Sequence, residues 1–301
     1  MKQIRLRDDR KRLLHWLSPP ARIVSLVPSD TYSIIKLGAK DRLVGRTRYC
    51  VAPAPDVADI PIVGGTKDAD IERILDLNPD AVIANQEENS QRDIERLEAQ
   101  GLRVLVSFPK RVDASIAHLA RLAVLLDLDR EKGPAKELVS WAYRTHTEAE
   151  SRRRSKSPVR AFAPIWMRPL MTIHGDTFIS DFLDLAGAHN VFADRPRRYP
   201  LAADLGQAPP LPPERIQDHD TRYPRITLEE IEARKPEIIL LPDEPHPFTE
   251  ADADVFRTLD VPAAKHGMIV FCDGKDLMWY GARSLEGLSR ITALVDAARN
   301  A

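Results

Sequence analysis

The sequence predicts an α/β protein built as two lobes joined by one long helix. Three observations predict it. Short apolar, β-branched runs alternate with amphipathic segments, the pattern of a parallel sheet covered by helices on both faces. Near the middle, nothing after Pro134 interrupts a helix as far as Arg154, a length of ~30 Å. On either side of that helix the chain matches itself. Residues 71–84 read IERILDLNPDAVIA and residues 228–241 read LEEIEARKPEIILL. An offset of 157 residues pairs Glu72 with Glu229, Ile74 with Ile231, Pro79 with Pro236, Asp80 with Glu237 and Val82 with Ile239. Each segment reads as a short helix, a proline stop and a buried strand. Their places in the two halves point to an internal duplication.

The elements follow in order. Residues 1–20 are charged, end in Pro19-Pro20, and read as an N-terminal arm. Arg22–Val27 is a strand that stops at Pro28. Ser29-Asp30-Thr31 then caps a helix running to Leu37, with Gly38 as its stop. Leu43–Gly45 and Ile60–Val63 are short strands, and Asp70 caps a helix from Ile71 to Leu77. Strand Ala81–Ala84, helix Ile94–Gln100, strand Arg103–Ser107 and helix Ala114–Leu126 complete the first lobe, residues 21–128. The stretch 129–157 holds the linking helix. The second lobe, 158–301, repeats the alternation: strand Arg160–Trp166, helix Phe178–Ala186, strand Ile238–Leu241, helix Asp252–Leu259, strand Met268–Phe271 and helix Ser284–Ala298.

Composition narrows the function. Of 301 residues, 43% are hydrophobic and 30% charged, which suits a globular protein. A formal net charge of −1 provides no global field for nucleic acid or an anionic membrane. Cys50 and Cys272, the only cysteines, form neither a disulfide framework nor a C-x-x-C metal pair. The N-terminus has no continuous apolar run before Arg22, and no stretch reads as membrane-spanning. As written, the chain is expected in the cytoplasm, or else is the mature or truncated form of an exported protein.

Four segments carry a family resemblance: RIVSLVPSDT with KLGAKDRLVG, IPIVGGTKDADIERILDLNPDAVIA, the mid-chain helix, and YPRITLEEIEARKPEIILLP. From about Ala21 onward the chain resembles the helical-backbone (class III) substrate-binding proteins of ABC transporters. These are receptors for cobalamin, haem and ferric siderophores, and the second segment is most similar to the cobalamin branch. The resemblance implies two Rossmann-like lobes with a ligand cleft between them and a rigid connecting helix. It further implies a non-enzymatic monomer with no prosthetic group, acting with an ABC permease. The ligand it implies is a corrinoid first, then haem, then a ferric siderophore. A cytoplasmic sensor or enzyme on the same fold is the alternative.

The candidate residues fall into two sets. Glu72 and Glu229 each occupy the second position of a helix, capped by Asp70 and Thr227, where the helix dipole alone favours an acid by about 0.3–1 kcal/mol. In the resembled family these positions are exposed acids that dock on permease arginines. The ligand set lies at predicted strand ends, where open α/β sheets place ligands. It comprises Ser29, Asp30, Glu87, Glu88, Asn89, Trp166, Arg168, Glu244, Trp279, Tyr280 and Arg283. The resemblance adds Thr66, where cobalamin receptors carry a stacking Trp, and Tyr223, which keeps an aromatic at the matching position of the other lobe. The plain alternative is that loops are polar and Trp fills domain edges. No H-E-x-x-H, G-x-S-x-G, Walker loop or G-x-G-x-x-G is present, so neither a protein metal site nor a catalytic residue is expected. His174 or His246 could ligate a metal inside a bound cofactor; a solvated loop histidine is the plainer reading.

Overall fold

Two four-stranded parallel sheets organise the computed structural model, which describes residues 2–129, 131–217 and 219–301. Met1 of the expected arm and Arg130 of the expected linking stretch lie outside the described residues. The chain divides into two units. One comprises Met1–Thr145 with Trp279–Arg283, the other His146–Met278 with Ser284–Ala301.

The first unit opens with a hairpin, β1 (Ile4–Arg7) and β2 (Leu13–Trp16), where the sequence suggested an arm. It is tied down rather than loose. The Asp9 amide donates to Val106 O at 3.0 Å, the Phe108 amide to Asp9 Oδ2 at 2.6 Å, and Trp16 Nε1 to Asp80 O at 3.0 Å. The elements that follow are β3 (Ile23–Ser25), α1 (Pro28–Lys36), β4 (Leu43–Arg46), α2 (Ala54–Val57), α3 (Ile71–Asp76), β5 (Ala81–Asn85), α4 (Gln91–Ala99), β6 (Val104–Ser107), α5 (Val112–Leu125) and α6 (Pro134–Arg154). The sheet order is β4-β3-β5-β6. All five residues of β5 are buried, as expected when helices cover both faces. Val82, Val104, Ile74 and Leu97 meet in its core, each contributing about 1.5–3 kcal/mol by burial.

The second unit contains β7 (Val159–Phe162), β8 (Trp166–Met167), β9 (Leu170–Met171), α7 (Phe178–Leu185), β10 (Ala188–Asn190), α8 (Leu201–Asp204), α9 (Leu228–Arg234), β11 (Ile238–Pro242), α10 (Glu250–Arg257), α11 (Pro262–Lys265), β12 (Ile269–Cys272), α12 (Gly274–Met278) and most of α13 (Ala282–Arg299). Its sheet order is β10-β7-β11-β12. Phe162 anchors the core, with ring centroids 5.4 Å from Phe192 and 5.8 Å from Phe256.

The duplicated segments build the same joint in each unit. Asp80 Oδ2 accepts from the Ala21 and Arg22 amides at 2.8 and 2.9 Å, and Glu237 Oε2 accepts from the Arg160 amide at 2.7 Å. Arg22 turns back onto the carbonyls of Leu77 and Asn78, and Arg160 onto those of Arg234 and Lys235. Asn78 and Lys235, paired by the same offset, both take left-handed conformations, with φ of 44° and 46°. In both units a helix closes through an αL residue, an arginine covers its last carbonyls, and an acid starts the neighbouring strand.

Four local expectations change. Helix α1 begins at Pro28, with Val27 at the cap position and no side-chain cap, because proline pre-sets the first turn; Ser29, Asp30 and Thr31 lie inside it. Ile62 pairs with Arg46 through a single bridge rather than a strand. The strand expected over Arg160–Trp166 ends at Phe162, and Trp166 enters the separate β8–β9 hairpin. Finally, Trp279–Arg283 group with the first unit instead of the C-terminal lobe, since Tyr280 is bonded to Asp30 and Ser107.

Candidate functional site

The two candidate docking acids sit as their sequence positions require. Asp70 Oδ1 accepts from the Arg73 amide at 3.1 Å, which fixes the start of α3 and leaves Glu72 exposed in the first turn. At α9, Thr227 and Glu230 form a full capping box, and Glu229 is exposed beside it. Hydrogen bonding from the Thr227 side chain, then from its own backbone amide, holds the Glu229 carboxyl below its usual range. Behind it, Arg195 is buried between Asp204 Oδ1 at 2.9 Å and Glu230 Oε1 at 2.9 Å. The loop before α9 is therefore locked to the capping box itself.

In the first unit the structure gathers several candidates around the C-terminal ends of β5 and β6. Asn89 Oδ1 accepts from the Asn85 amide at 2.7 Å, and its Nδ2 donates to Leu26 O at 3.1 Å and Thr66 O at 3.0 Å. One side chain thus joins three loops. Asn85 Oδ1 accepts the amides of Glu87 and Glu88 at 2.8 and 3.1 Å, which sets that turn. Thr66, Glu87 and Glu88 are half-buried.

Ser29, Asp30, Asn89, Trp279 and Tyr280 are buried. Tyr280 Oη donates to Asp30 Oδ2 at 2.9 Å, lies 2.9 Å from Ser107 Oγ and accepts from Asn85 Nδ2 at 3.3 Å. The other Asp30 oxygen is 2.9 Å from His118 Nε2. Burial first, then the charges of Asp30 and Glu88, push the Tyr280 phenol well above its ordinary value. Trp279 meets Tyr32 edge-on, with centroids 6.4 Å apart. These residues hold the 279–283 segment in place. The sequence reading missed Asn85, Ser107 and His118. Its available signals were the polar last residues of two apolar strands and one histidine on the apolar face of α5.

In the second unit the candidates cluster on the loops beyond β7 and β11. Trp166 is 42% exposed, and its Nε1 donates to Arg168 O at 3.1 Å, which orients the ring. The His246 ring lies 5.5 Å from it. Met171 pairs with Trp166 on one side and Arg225 on the other, so the segment carrying Tyr223 runs beside the hairpin. Arg222 lies over the Tyr223 ring at 5.3 Å. Arg168 is exposed and Arg283, in the first unit, is half-buried. Glu244 stands 3.7 Å from Lys275, against Gly274, where a Cβ would meet its Cγ at 2.5 Å. That close approach explains glycine there. His174 Nδ1 accepts from the Asp176 amide at 3.0 Å. No group of three or more His, Cys, Asp or Glu among the described residues is arranged to hold a metal ion.

A family model described as "Periplasmic binding protein" matches residues 23–275. The chain is a member of the periplasmic binding protein family. The vitamin B12-binding protein of Yersinia pestis (strain Pestoides F) is 28% identical over 234 residues, 76% of this chain and 73% of that protein. The periplasmic vitamin B12 binding protein BtuF of Vibrio cholerae shares the fold of this binding protein, with a TM-score of 0.74 at 19% identity, covering 94% of this chain and 99% of that one. The periplasmic heme-binding protein RhuT from Roseiflexus sp. RS-1 shares it at a TM-score of 0.70 and 20% identity, covering 92% and 98%. The expected class of parallel-sheet, two-lobed binding protein is the observed one, and these relatives are binding proteins, not enzymes. No described helix of this binding protein is long and apolar enough to cross a membrane.

Proposed function

We propose that this chain is the substrate-binding protein of an ABC importer that carries a metal chelate, a corrinoid before haem and haem before a ferric siderophore. The observation that carries the proposal is the family match over residues 23–275, joined to relatives whose names are vitamin B12-binding proteins. The bound chelate is cargo, not a prosthetic group. The protein works as a monomer, with no nucleic-acid partner, in the compartment where its family works.

The residues proposed to touch the ligand are Thr66, Glu87, Glu88 and Arg283 of the first unit and Trp166, Arg168, Tyr223 and Glu244 of the second. All are exposed or half-buried. Ser29, Asp30, Asn89, Trp279 and Tyr280 are proposed to support them, since each is buried. The aromatic faces suit a flat macrocycle. Glu87, Glu88 and Glu244 disfavour a strongly anionic siderophore, whereas the amide rim of a corrinoid both donates and accepts. Glu72 and Glu229 are proposed to dock on permease cations.

Titration of tryptophan fluorescence with cobalamin, haemin and a ferric siderophore tests the ranking. Saturable quenching by the corrinoid, weakened in Trp166→Ala, is the expected result. Tight binding of the siderophore alone reverses the order.

A further inference from the structure

Among the described residues, four arginine nitrogens in the second unit are buried without a hydrogen-bond partner: Arg153 Nε, whose guanidinium is otherwise paired with Asp184 and Glu150, and Arg197 Nε, Arg225 Nε and Arg225 Nη1. Neither Arg197 nor Arg225 forms an ion pair among the described residues. The neighbouring acids are already committed. Asp204 binds Arg195 and the amides of Arg198 and Arg225. Asp220 holds Arg222 through both oxygens, at 2.9 and 2.7 Å. Burial, then the like charge of Arg197, lowers the Arg225 guanidinium below its ordinary value. Two cations near enough for one to feel the other's charge, each with buried, unfilled N–H groups, are costly unless an anion completes them.

The setting is also built. Arg197 lies over the Tyr199 ring, 4.6 Å from its centroid. Its amide donates to Thr221 O at 2.7 Å, while Arg225 bridges to Met171 beside Trp166. Both arginines are thus anchored to the segment that carries Tyr223.

We infer that Arg197 and Arg225 form a binding subsite for an oxyanion, and that the ligand of this protein carries an acidic substituent, a phosphodiester or a carboxylate, that seats there. Guanidinium forks match both groups through paired, charge-assisted hydrogen bonds. This inference rests on the proposed chelate-binding function and adds to it a choice among chelates.

The test compares ligand pairs of which one member carries that substituent and the other lacks it, with the arginine variants isolating its share of any difference. Cyanocobalamin carries a phosphodiester that dicyanocobinamide lacks; haemin carries carboxylates that its dimethyl ester lacks. Calorimetric titration of the full chain should show preference for the acidic member of at least one pair by about tenfold or more. The pair that shows it identifies the source of the anion. The double variant R197Q/R225Q should lose that preference while binding the neutral member as the parent does. The charge-keeping R197K/R225K variant, with an unchanged circular dichroism spectrum, should retain part of it. Equal affinity within both pairs, or a preference that survives in R197Q/R225Q, overturns the inference. If none of the four compounds binds, the function proposed above fails, and the subsite is read separately with inorganic pyrophosphate. A rise in melting temperature at millimolar pyrophosphate in the parent, absent from R197Q/R225Q, supports the subsite. The same response in both overturns it.

Discussion

Tyr280 donates its phenolic proton to Asp30 at 2.9 Å, across 250 residues of sequence. Both side chains are buried, and Ser107 and Asn85 reach the same phenol oxygen. The Tyr280→Phe variant removes the only hydroxyl in this network that donates to Asp30 Oδ2 among the bonds described. It should cost about 1–3 kcal/mol, the penalty for stranding a buried polar group. Chemical denaturation measures it.

The same tyrosine sets an alkaline limit. Its folded pKa is raised, so the folded state keeps the proton longer than the unfolded chain, whose tyrosines titrate near ~10. The stabilisation is therefore complete below about pH 10 and declines as pH rises beyond it. Melting temperature should fall above that pH, and Tyr280→Phe should lessen the slope. An unchanged slope in the variant counts against this assignment.

Asp9 sets part of the acid limit. Burial alone would raise its carboxyl, but the Phe108 amide and the Arg121 guanidinium outweigh that and leave it lowered. Its contribution is present above about pH 4 and is lost as pH falls through the lower folded value. The hairpin should loosen first on acidification. Hydrogen exchange at Asp9 and neighbouring amides should report it, and Asp9→Asn should abolish the pH dependence there.

Arg195→Met should cost about 3–5 kcal/mol, because it leaves Asp204 charged, buried and without its guanidinium. Thr227→Ala, which removes only the cap, should cost about 1 kcal/mol. Urea denaturation of both variants gives the comparison. Equal losses would mean that the Arg195 network adds nothing beyond the cap.

Charge reversal at Glu72 and Glu229 together should abolish uptake by cells that carry the cognate importer. Ligand affinity should stay intact and stability should change by less than about 1 kcal/mol, since both side chains are exposed. Loss of ligand affinity in the double variant would assign these acids to binding instead of docking.

The parallel sheets were legible because the runs Ala81–Ala84 and Ile238–Leu241, each inside a buried strand, are continuous, apolar and preceded by a proline two residues earlier. The caps at Asp70 and Thr227 were legible because capping chemistry is local. The equivalence of Asp80 and Glu237 could be read as an alignment. Their shared task at the start of neighbouring strands depends on Arg22 and Arg160, which lie far away in sequence. The closure of Tyr280 onto Asp30 was illegible for the same reason: nothing local to either residue names its partner. Arg197 and Arg225 were passed over because, in a chain with 44 lysines and arginines, an unpaired cation is visible only once every neighbouring acid has been placed.

Chelate binding is the central claim, and equilibrium dialysis of the purified chain against cyanocobalamin, haemin and a ferric siderophore tests it most directly, read by each compound's own visible absorbance. The account predicts saturable retention of one chelate per chain, strongest for the corrinoid. No retention of any of the three at protein concentrations well above micromolar would contradict it.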